Sequence, residues 1–121
     1  MTKKEAQHLF KKTYLYNEMF GIFYHFTESK EEFIKMMEWI GQPSTPENIG
    51  GRCVLAENGG ELRIWIGLFN GELSTLVHEC THAGLFTLDA IGQKLDYGDE
   101  LLPYLTAWIF KECQSKVKNN A

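Results

Sequence analysis

The stretch that decides the fold is Leu76-Val77-His78-Glu79-Cys80-Thr81-His82-Ala83-Gly84-Leu85, in which His-Glu-x-x-His lies inside an otherwise apolar run. Positions i and i+4 share one face of an α-helix, so His78 and His82 can offer their imidazole nitrogens to one ion. Glu79 lies about 100° round the helix from His78, beside the ion rather than on it. The stretch therefore predicts a helix with two zinc ligands, His78 and His82, and a general base, Glu79.

The apolar pattern extends this helix in both directions. Asn70 is the predicted N-cap, Glu72 lies in the first turn, and Gly92 ends the helix after about Ile91. The residues expected to face the core recur at helical spacing: Leu73, Leu76, Val77, Cys80, Gly84, Leu88 and Ile91. This stripe is adjacent to the histidine face but distinct from it, so the thiol of Cys80 is expected in the packing rather than at the ion.

A β-hairpin is predicted directly before the helix. Cys53-Val54-Leu55-Ala56 and Leu62-Arg63-Ile64-Trp65-Ile66 flank Asn58-Gly59-Gly60, whose Asn-Gly pair supplies the positive φ angles of a tight turn. In the second strand, aliphatic residues alternate with Arg63 and Trp65, so one face carries a cation and an indole. Two interpretations are open here. An exposed edge of the hairpin pairs with an extended peptide over the metal, or Trp65 is buried against the following helix.

The region from residue 8 to residue 27 is rich in aromatic side chains, which favour β-structure. Strands are predicted near Lys12 to Asn17 and near Phe20 to Phe26. His8 and His25 lie in this region. A lone histidine on an aromatic strand is more often an ordinary core or surface residue than a ligand, so both are left out of the metal site.

Two further helices are predicted, one on each side of the hairpin and the motif. Ser29, followed by two glutamates and an amphipathic pattern, indicates a capped helix that Gly41 ends, with a loop over residues 42–51. A C-terminal amphipathic helix is expected to open near Asp99 and Glu100.

Two histidines require a third protein ligand, and an antiparallel arrangement of helices places Glu100 where it can reach back toward His82. Pro103 interrupts a helix interior but is tolerated if the helix begins at Asp99 or later. Glu100 is preferred because of its longer side chain, with Asp99 and Asp96 as the alternatives.

The pattern His78-Glu79-Cys80-Thr81-His82, followed by Glu100 at the start of another helix, resembles the zincin metallopeptidases that hold zinc with two histidines and one glutamate. It is also similar to small phage-encoded proteins with a His-Glu-Cys-x-His-Ala stretch and a later Glu, Tyr-Leu and Trp, matched here by Glu100, Tyr104, Leu105 and Trp108. The resemblance covers about residues 62–110. It implies an α+β, minimal zincin-like fold in which a small, mostly antiparallel twisted sheet packs on the motif helix and a C-terminal helix.

The resemblance further implies a Zn²⁺ cofactor held by His78, His82 and Glu100, and hydrolysis of a peptide or protein substrate with Glu79 as general base. Tyr104, Tyr97 and Arg63 are the candidate oxyanion or substrate contacts, and His25 is a further candidate for the oxyanion. The alternative is a zincin-like protein that binds zinc without peptidase activity and acts by inhibiting a partner, for example a host protein. A third interpretation is a small globular protein without a metal.

Composition limits the domain organisation, the partners and the cellular location that are expected of this chain. A chain of 121 residues with 44% hydrophobic residues is expected to form a single domain over residues 1–121. A net charge of −4, without a basic cluster interleaved with aromatics, makes nucleic acid an unexpected partner. The polar N-terminus, the absence of a long apolar run and three cysteines distant in sequence indicate a cytoplasmic protein, in the host cytoplasm if phage-encoded. The oligomeric state is left open.

Overall fold

The computed structural model describes residues 1–94, 96 and 99–118. These residues form an α+β fold, which confirms the predicted class. Its elements in chain order are α1 (Lys3–Thr13), β1 (Tyr14–Asn17), β2 (Ile22–Thr27), α2 (Lys30–Trp39), β3 (Gly51–Asn58), β4 (Glu61–Leu68), α3 (Leu73–Ala90) and α4 (Leu101–Gln114). The sheet is mixed, with strand order β1-β2-β4-β3. β1 and β2 are antiparallel, as are β3 and β4, whereas β2 and β4 are parallel.

Helices cover the sheet on both faces. Ile64, Ile66 and Leu68 of β4 belong to the core shared with α3 and α4, whereas Trp65 belongs to the core shared with α1 and α2. This division follows from the alternation of side chains along a strand. Trp65 is fully buried, but the expectation that it packs against the following helix is wrong. Its ring stacks on His25 at a centroid distance of 4.2 Å, on the opposite side of the sheet from α3.

The hairpin prediction is confirmed, with one difference in its turn. Asn58 pairs with Glu61, so the two turn residues are Gly59 and Gly60, with φ angles of 63° and 82°. Both positive φ angles of this two-residue turn therefore fall on glycine. Because β4 lies between β2 and β3, the free edge of the hairpin belongs to β3.

Helix α1 is the element that the sequence analysis missed, since a strand was predicted from Lys12. Its start is capped by Thr2, whose hydroxyl accepts from the Glu5 N–H at 3.1 Å and donates to the Glu5 carboxylate at 3.1 Å. Ala6, Leu9 and Thr13 are buried at helical spacing. The Thr-x-x-Glu signal and this spacing were both available in the sequence. The two strands predicted in this region exist, but they begin later, at Tyr14 and Ile22.

Helix α2 begins as predicted, because the Ser29 hydroxyl accepts from the Glu32 N–H at 3.1 Å. For α3 the boundaries differ slightly. Glu72 occupies the N-cap position, and Asn70 instead accepts a hydrogen bond from the Glu72 N–H at 3.0 Å. The predicted core stripe of α3 is partly wrong, since Leu73 and Val77 are 53% and 48% exposed. The buried face instead follows Leu76, Cys80, Ala83 and Thr87, the side that meets the sheet and α4.

The three cysteines are free thiols, and Cys80 and Cys113 are fully buried in the core between the sheet and its two C-terminal helices. Cys53 is partly buried against the same core. The predicted role of Cys80 in packing is therefore confirmed. Across the residues that the structure describes, no helix is long and apolar enough to cross a membrane.

Candidate metal centre

The two histidines of the motif lie on the exposed side of α3 with their ring nitrogens turned toward each other. The Nε2 atoms of His78 and His82 are 3.2 Å apart. Two nitrogens that each lie 2.0–2.1 Å from a tetrahedral zinc ion are separated by about 3.3–3.4 Å. The imidazole pair therefore fits the requirements of one zinc ion with little rearrangement.

Glu79 lies next to this pair on the flank of α3 that faces β3. Its side chain is only 6% exposed, although both histidines are exposed. His78, Glu79 and His82 offer ligand atoms that all lie within 4.8 Å of one another. Burial raises the pKa of the Glu79 carboxyl group, while the two neighbouring imidazoles oppose this rise. The carboxylate is thus close to the ion position, and it is better placed to exchange a proton than an ordinary surface glutamate.

The edge strand β3 lies against Glu79 because residue 51 is glycine. A Cβ atom at Gly51 would lie 2.8 Å from the carbonyl oxygen of Gly67 and 3.0 Å from Cγ of Glu79. Any side chain here would push β3 away from both β4 and α3. Gly51 therefore determines how closely the free edge of the sheet approaches the candidate metal centre.

A surface depression of about 390 Å³ opens beside the centre, between the start of β3 and the start of α3. It is lined by Gly50, Gly51, Asn70, Ser74, Thr75, His78 and Glu79. The amide of Asn70 donates to the Thr75 hydroxyl at 2.9 Å, and the carbonyl of Gly50 accepts from the Phe69 N–H at 2.7 Å. These two hydrogen bonds hold the loops that flank the depression. Apart from His78 and Glu79, these lining residues have no functional role in the prediction from sequence, although the Gly50-Gly51 pair before a strand was a signal for close approach.

The structure does not bring Glu100 to the histidines. Glu100 is an exposed residue at the N-cap of α4, outside the described group of ligand atoms within 4.8 Å. The reason is the flank on which α4 packs: a Cβ at Gly84 would meet Thr106 and Leu102. Gly84 lies about 140° round α3 from Glu79, so α4 meets the side of the helix away from the carboxylate.

The alternative third ligands, Asp99 and Asp96, are also outside that group. The Asp99 carboxylate accepts from the Leu101 N–H at 2.9 Å and so contributes to the start of α4. Pro103 is tolerated in α4, because the helix begins late enough, as the sequence required. Because α4 begins at Leu101, the proline occupies the first turn, where its missing N–H removes no helical hydrogen bond.

The other predicted contacts are not at the centre. Arg63 and His25 lie on the α1 and α2 side of the sheet, where the Arg63 guanidinium donates to Nε2 of His25 at 2.8 Å. Their assignment as substrate or oxyanion contacts is wrong, because the sheet separates them from α3. Tyr104 lines a different depression, together with Tyr16 of β1 and Met19 of the β1–β2 connection. Tyr97 lies outside the described residues.

No protein-family model, curated protein or solved structure matches this chain. The case for a metal centre therefore depends on the spacing of the motif and on the geometry of His78, Glu79 and His82.

Proposed function

We propose that this protein binds Zn²⁺ through His78 and His82 and hydrolyses peptide bonds in the manner of a small zincin-like metallopeptidase. The observation that carries the proposal is the 3.2 Å separation of the two Nε2 atoms beside the largely buried Glu79 carboxylate. A zinc ion supplies a Lewis acid that lowers the pKa of a water molecule and polarises a peptide carbonyl. Glu79 accepts the proton of the attacking water and delivers it to the leaving amine.

The free edge of β3 supports a peptide as the substrate. An extended segment that adds to this edge forms main-chain hydrogen bonds with β3. Because Gly51 brings the strand within contact of Glu79, such a segment passes close to the carboxylate and the histidines. The depression lined by Asn70, Ser74 and Thr75 then receives a side chain of the substrate.

The two histidines leave room on the ion for one further protein ligand in the hydrolytic form. Glu100 remains the candidate on the strength of the resemblance, with Asp99 and Asp96 as alternatives. For Glu100 to bind the ion, the N-terminus of α4 must approach His82 when zinc binds. We also place the protein in the cytoplasm, of the host if it is phage-encoded, because free cysteines suit a reducing compartment.

The metal and the reaction are tested separately by two substitutions. Protein purified without a metal-affinity tag is analysed for zinc and then incubated with a proteome extract, whose new N-termini are mapped by mass spectrometry. We expect His78→Ala to lose the zinc. We expect Glu79→Gln to keep the zinc but to lose cleavage by at least about 100-fold, the lower range for removal of a general base.

The matched control is His8→Ala, which removes an exposed histidine from α1, a different element of the fold. It is expected to leave both zinc content and cleavage unchanged. If the wild type and Glu79→Gln generate the same fragments, the peptidase proposal fails. If the wild type contains no zinc and takes up none, the metal centre fails as well.

A second candidate function is zinc-dependent binding of a partner without hydrolysis. The specific observation in its favour is the position of Glu100, outside the group formed by His78, Glu79 and His82. In that case Glu79→Gln retains the biological effect of the protein while His78→Ala loses it. For a peptidase, both substitutions abolish the effect.

A further inference from the structure

Helix α3 presents an exposed face without a formal charge. We define the α3 face by five exposed residues that share one side of the helix: Val77, His78, Thr81, His82 and Leu85. Val77 and Leu85, its large apolar residues, are 48% and 38% exposed. Between Glu72 and Asp89 the sequence has a single acidic residue, the buried Glu79, and no lysine or arginine.

The helices on the other face of the sheet differ from this pattern. Their exposed positions are mostly lysine and glutamate, including Lys4, Lys11, Glu31 and Lys35. Depletion of charge with retention of large apolar side chains is characteristic of the centre of a protein interface. The α3 face therefore has the composition of a surface that packs against another protein chain.

The metal ligands at the centre of the α3 face are an incomplete set. Zinc is held by four ligands when it is structural and by three protein ligands when it is catalytic. Within the described parts of the chain, only Glu79 joins the two imidazoles within 4.8 Å, and its carboxylate lies on the flank toward β3. The outward side of the histidine pair is open to solvent, and ligands from outside the chain can complete the coordination there.

We propose that a second copy of this chain supplies them, through antiparallel packing of two α3 faces around one shared zinc ion. A two-fold axis at the level of Cys80, midway between the histidines, sets His78 against His82 of the partner subunit. The same axis sets Leu85 level with residue 75 of the other copy, two positions from Val77 of the partner subunit, which lies on the same face. The apolar residues at the two ends of the α3 face are thus self-complementary, and four imidazoles meet at its centre.

This dimer regulates the site described above, and so the inference rests on the zinc binding in the proposed function, although not on hydrolysis. Four imidazoles fill a tetrahedral coordination sphere and leave no position for water or for Glu100. The dimer is therefore a resting form, in which the α3 faces also cover the depression beside Glu79. Dilution, or a peptide that competes for the α3 face, releases the hydrolytic form.

Sedimentation equilibrium with zinc or with a chelator tests the proposal directly. The wild type is expected to have the mass of one 13.9 kDa chain in chelator and twice that mass with zinc, at one zinc ion per two chains. Leu85→Lys keeps both ligands but places a charge in the interface, so it should weaken the zinc-dependent dimer at least about tenfold. The matched control is Trp39→Lys, which changes a 43% exposed apolar residue on α2 and should leave the dimer intact.

Each outcome separates this inference from the proposed function. A wild-type protein that binds one zinc ion per chain and stays monomeric overturns the shared site but leaves the metal centre standing. Loss of all zinc binding overturns both. A dimer that persists in chelator and in His82→Ala overturns the claim that the metal forms it. A Leu85→Lys dimer as stable as the wild-type dimer overturns the claim that the α3 face forms it.

Discussion

At the scale of single residues, His25 is a buried side chain whose two ring nitrogens both have a hydrogen-bond partner. It is fully buried, with Nδ1 2.9 Å from the Thr13 hydroxyl and Nε2 2.8 Å from the Arg63 guanidinium. Arginine only donates, so Nε2 must accept and Nδ1 must carry the proton of the neutral ring. The Thr13 hydroxyl accepts a hydrogen bond from this Nδ1–H group. It donates in turn to the carbonyl of Leu9 at 3.0 Å. His25 thus connects α1 to the sheet rather than taking part in the metal centre.

This environment predicts a loss of stability in acid. Burial, and then the positive charges of Arg63 and Lys116, lower the pKa of His25 to about 3. The unfolded chain takes up this proton below about pH 6.5, whereas the folded chain does so only near pH 3. The stabilisation of the folded chain that is linked to neutral His25 is therefore fully present above pH 6.5. It is lost as the pH falls, at up to about 1.4 kcal/mol per pH unit.

Urea denaturation of the wild type and of His25→Asn between pH 7 and pH 4.5 measures this contribution. The variant is expected to be less stable at pH 7, because it loses the ring contacts, but its stability should fall less steeply with acid. His8→Asn, on the exposed face of α1, serves as the control and should follow the wild-type curve. Parallel curves for all three proteins would show that His25 is protonated alike in the folded and unfolded chains.

At the scale of elements, the packing of α3 on α4 depends on a residue without a side chain. A Cβ at Gly84 would lie 2.7 Å from Oγ1 of Thr106 and 3.0 Å from Cδ1 of Leu102. Alanine raises helix propensity by about 1 kcal/mol over glycine in a helix interior. Here the overlap opposes this gain, because the hydroxyl of Thr106 is attached directly to its Cβ and has little freedom in a helix.

We expect Gly84→Ala to lower the free energy of unfolding by about 1 kcal/mol, the low end for overpacking a closely packed interface. The second substitution Thr106→Ala removes the overlapping atom and should restore the stability that Gly84→Ala loses. A double-mutant cycle in urea measures this coupling. Additive effects of the two substitutions would mean that the helices separate freely, and that Gly84 is not needed for their approach.

At the scale of the whole molecule, zinc binding is expected to raise the stability of the fold. A ligand that binds only the folded chain stabilises it by about 2.7 kcal/mol at 100 times its dissociation constant. The wild type and Glu79→Gln should both show this gain in zinc over chelator, at one fixed protein concentration. His78→Ala and His82→Ala should not. Equal denaturation curves of the wild type in zinc and in chelator would contradict a folded-state metal site.

Local features of the fold were predictable because they depend on residues close together in the chain. The cap at Ser29 and the two-residue turn after Asn58 follow from backbone geometry alone. The N-cap formed by Thr2 and Glu5 is of the same kind and was equally predictable. For the candidate site, the helical repeat places His78 and His82 on one face, where their Nε2 atoms lie 3.2 Å apart.

Other features depend on which elements pack together, and a single sequence does not encode this locally. Arg63 lies on the far side of the sheet because helices cover both faces and β4 is a central strand. Glu100 lies away from the histidines because α4 packs along the Gly84 flank of α3.

The sequence by itself thus determined the pair of histidines, the glutamate beside them and the helix that carries all three, since a repeat of 3.6 residues per turn fixes their spacing. Only the tertiary structure decided what surrounds them: the close approach of Gly51, the burial of Glu79 and the exposure of Leu73 and Val77. Contacts between elements distant in the chain set these properties, because they depend on the shapes that meet across the core.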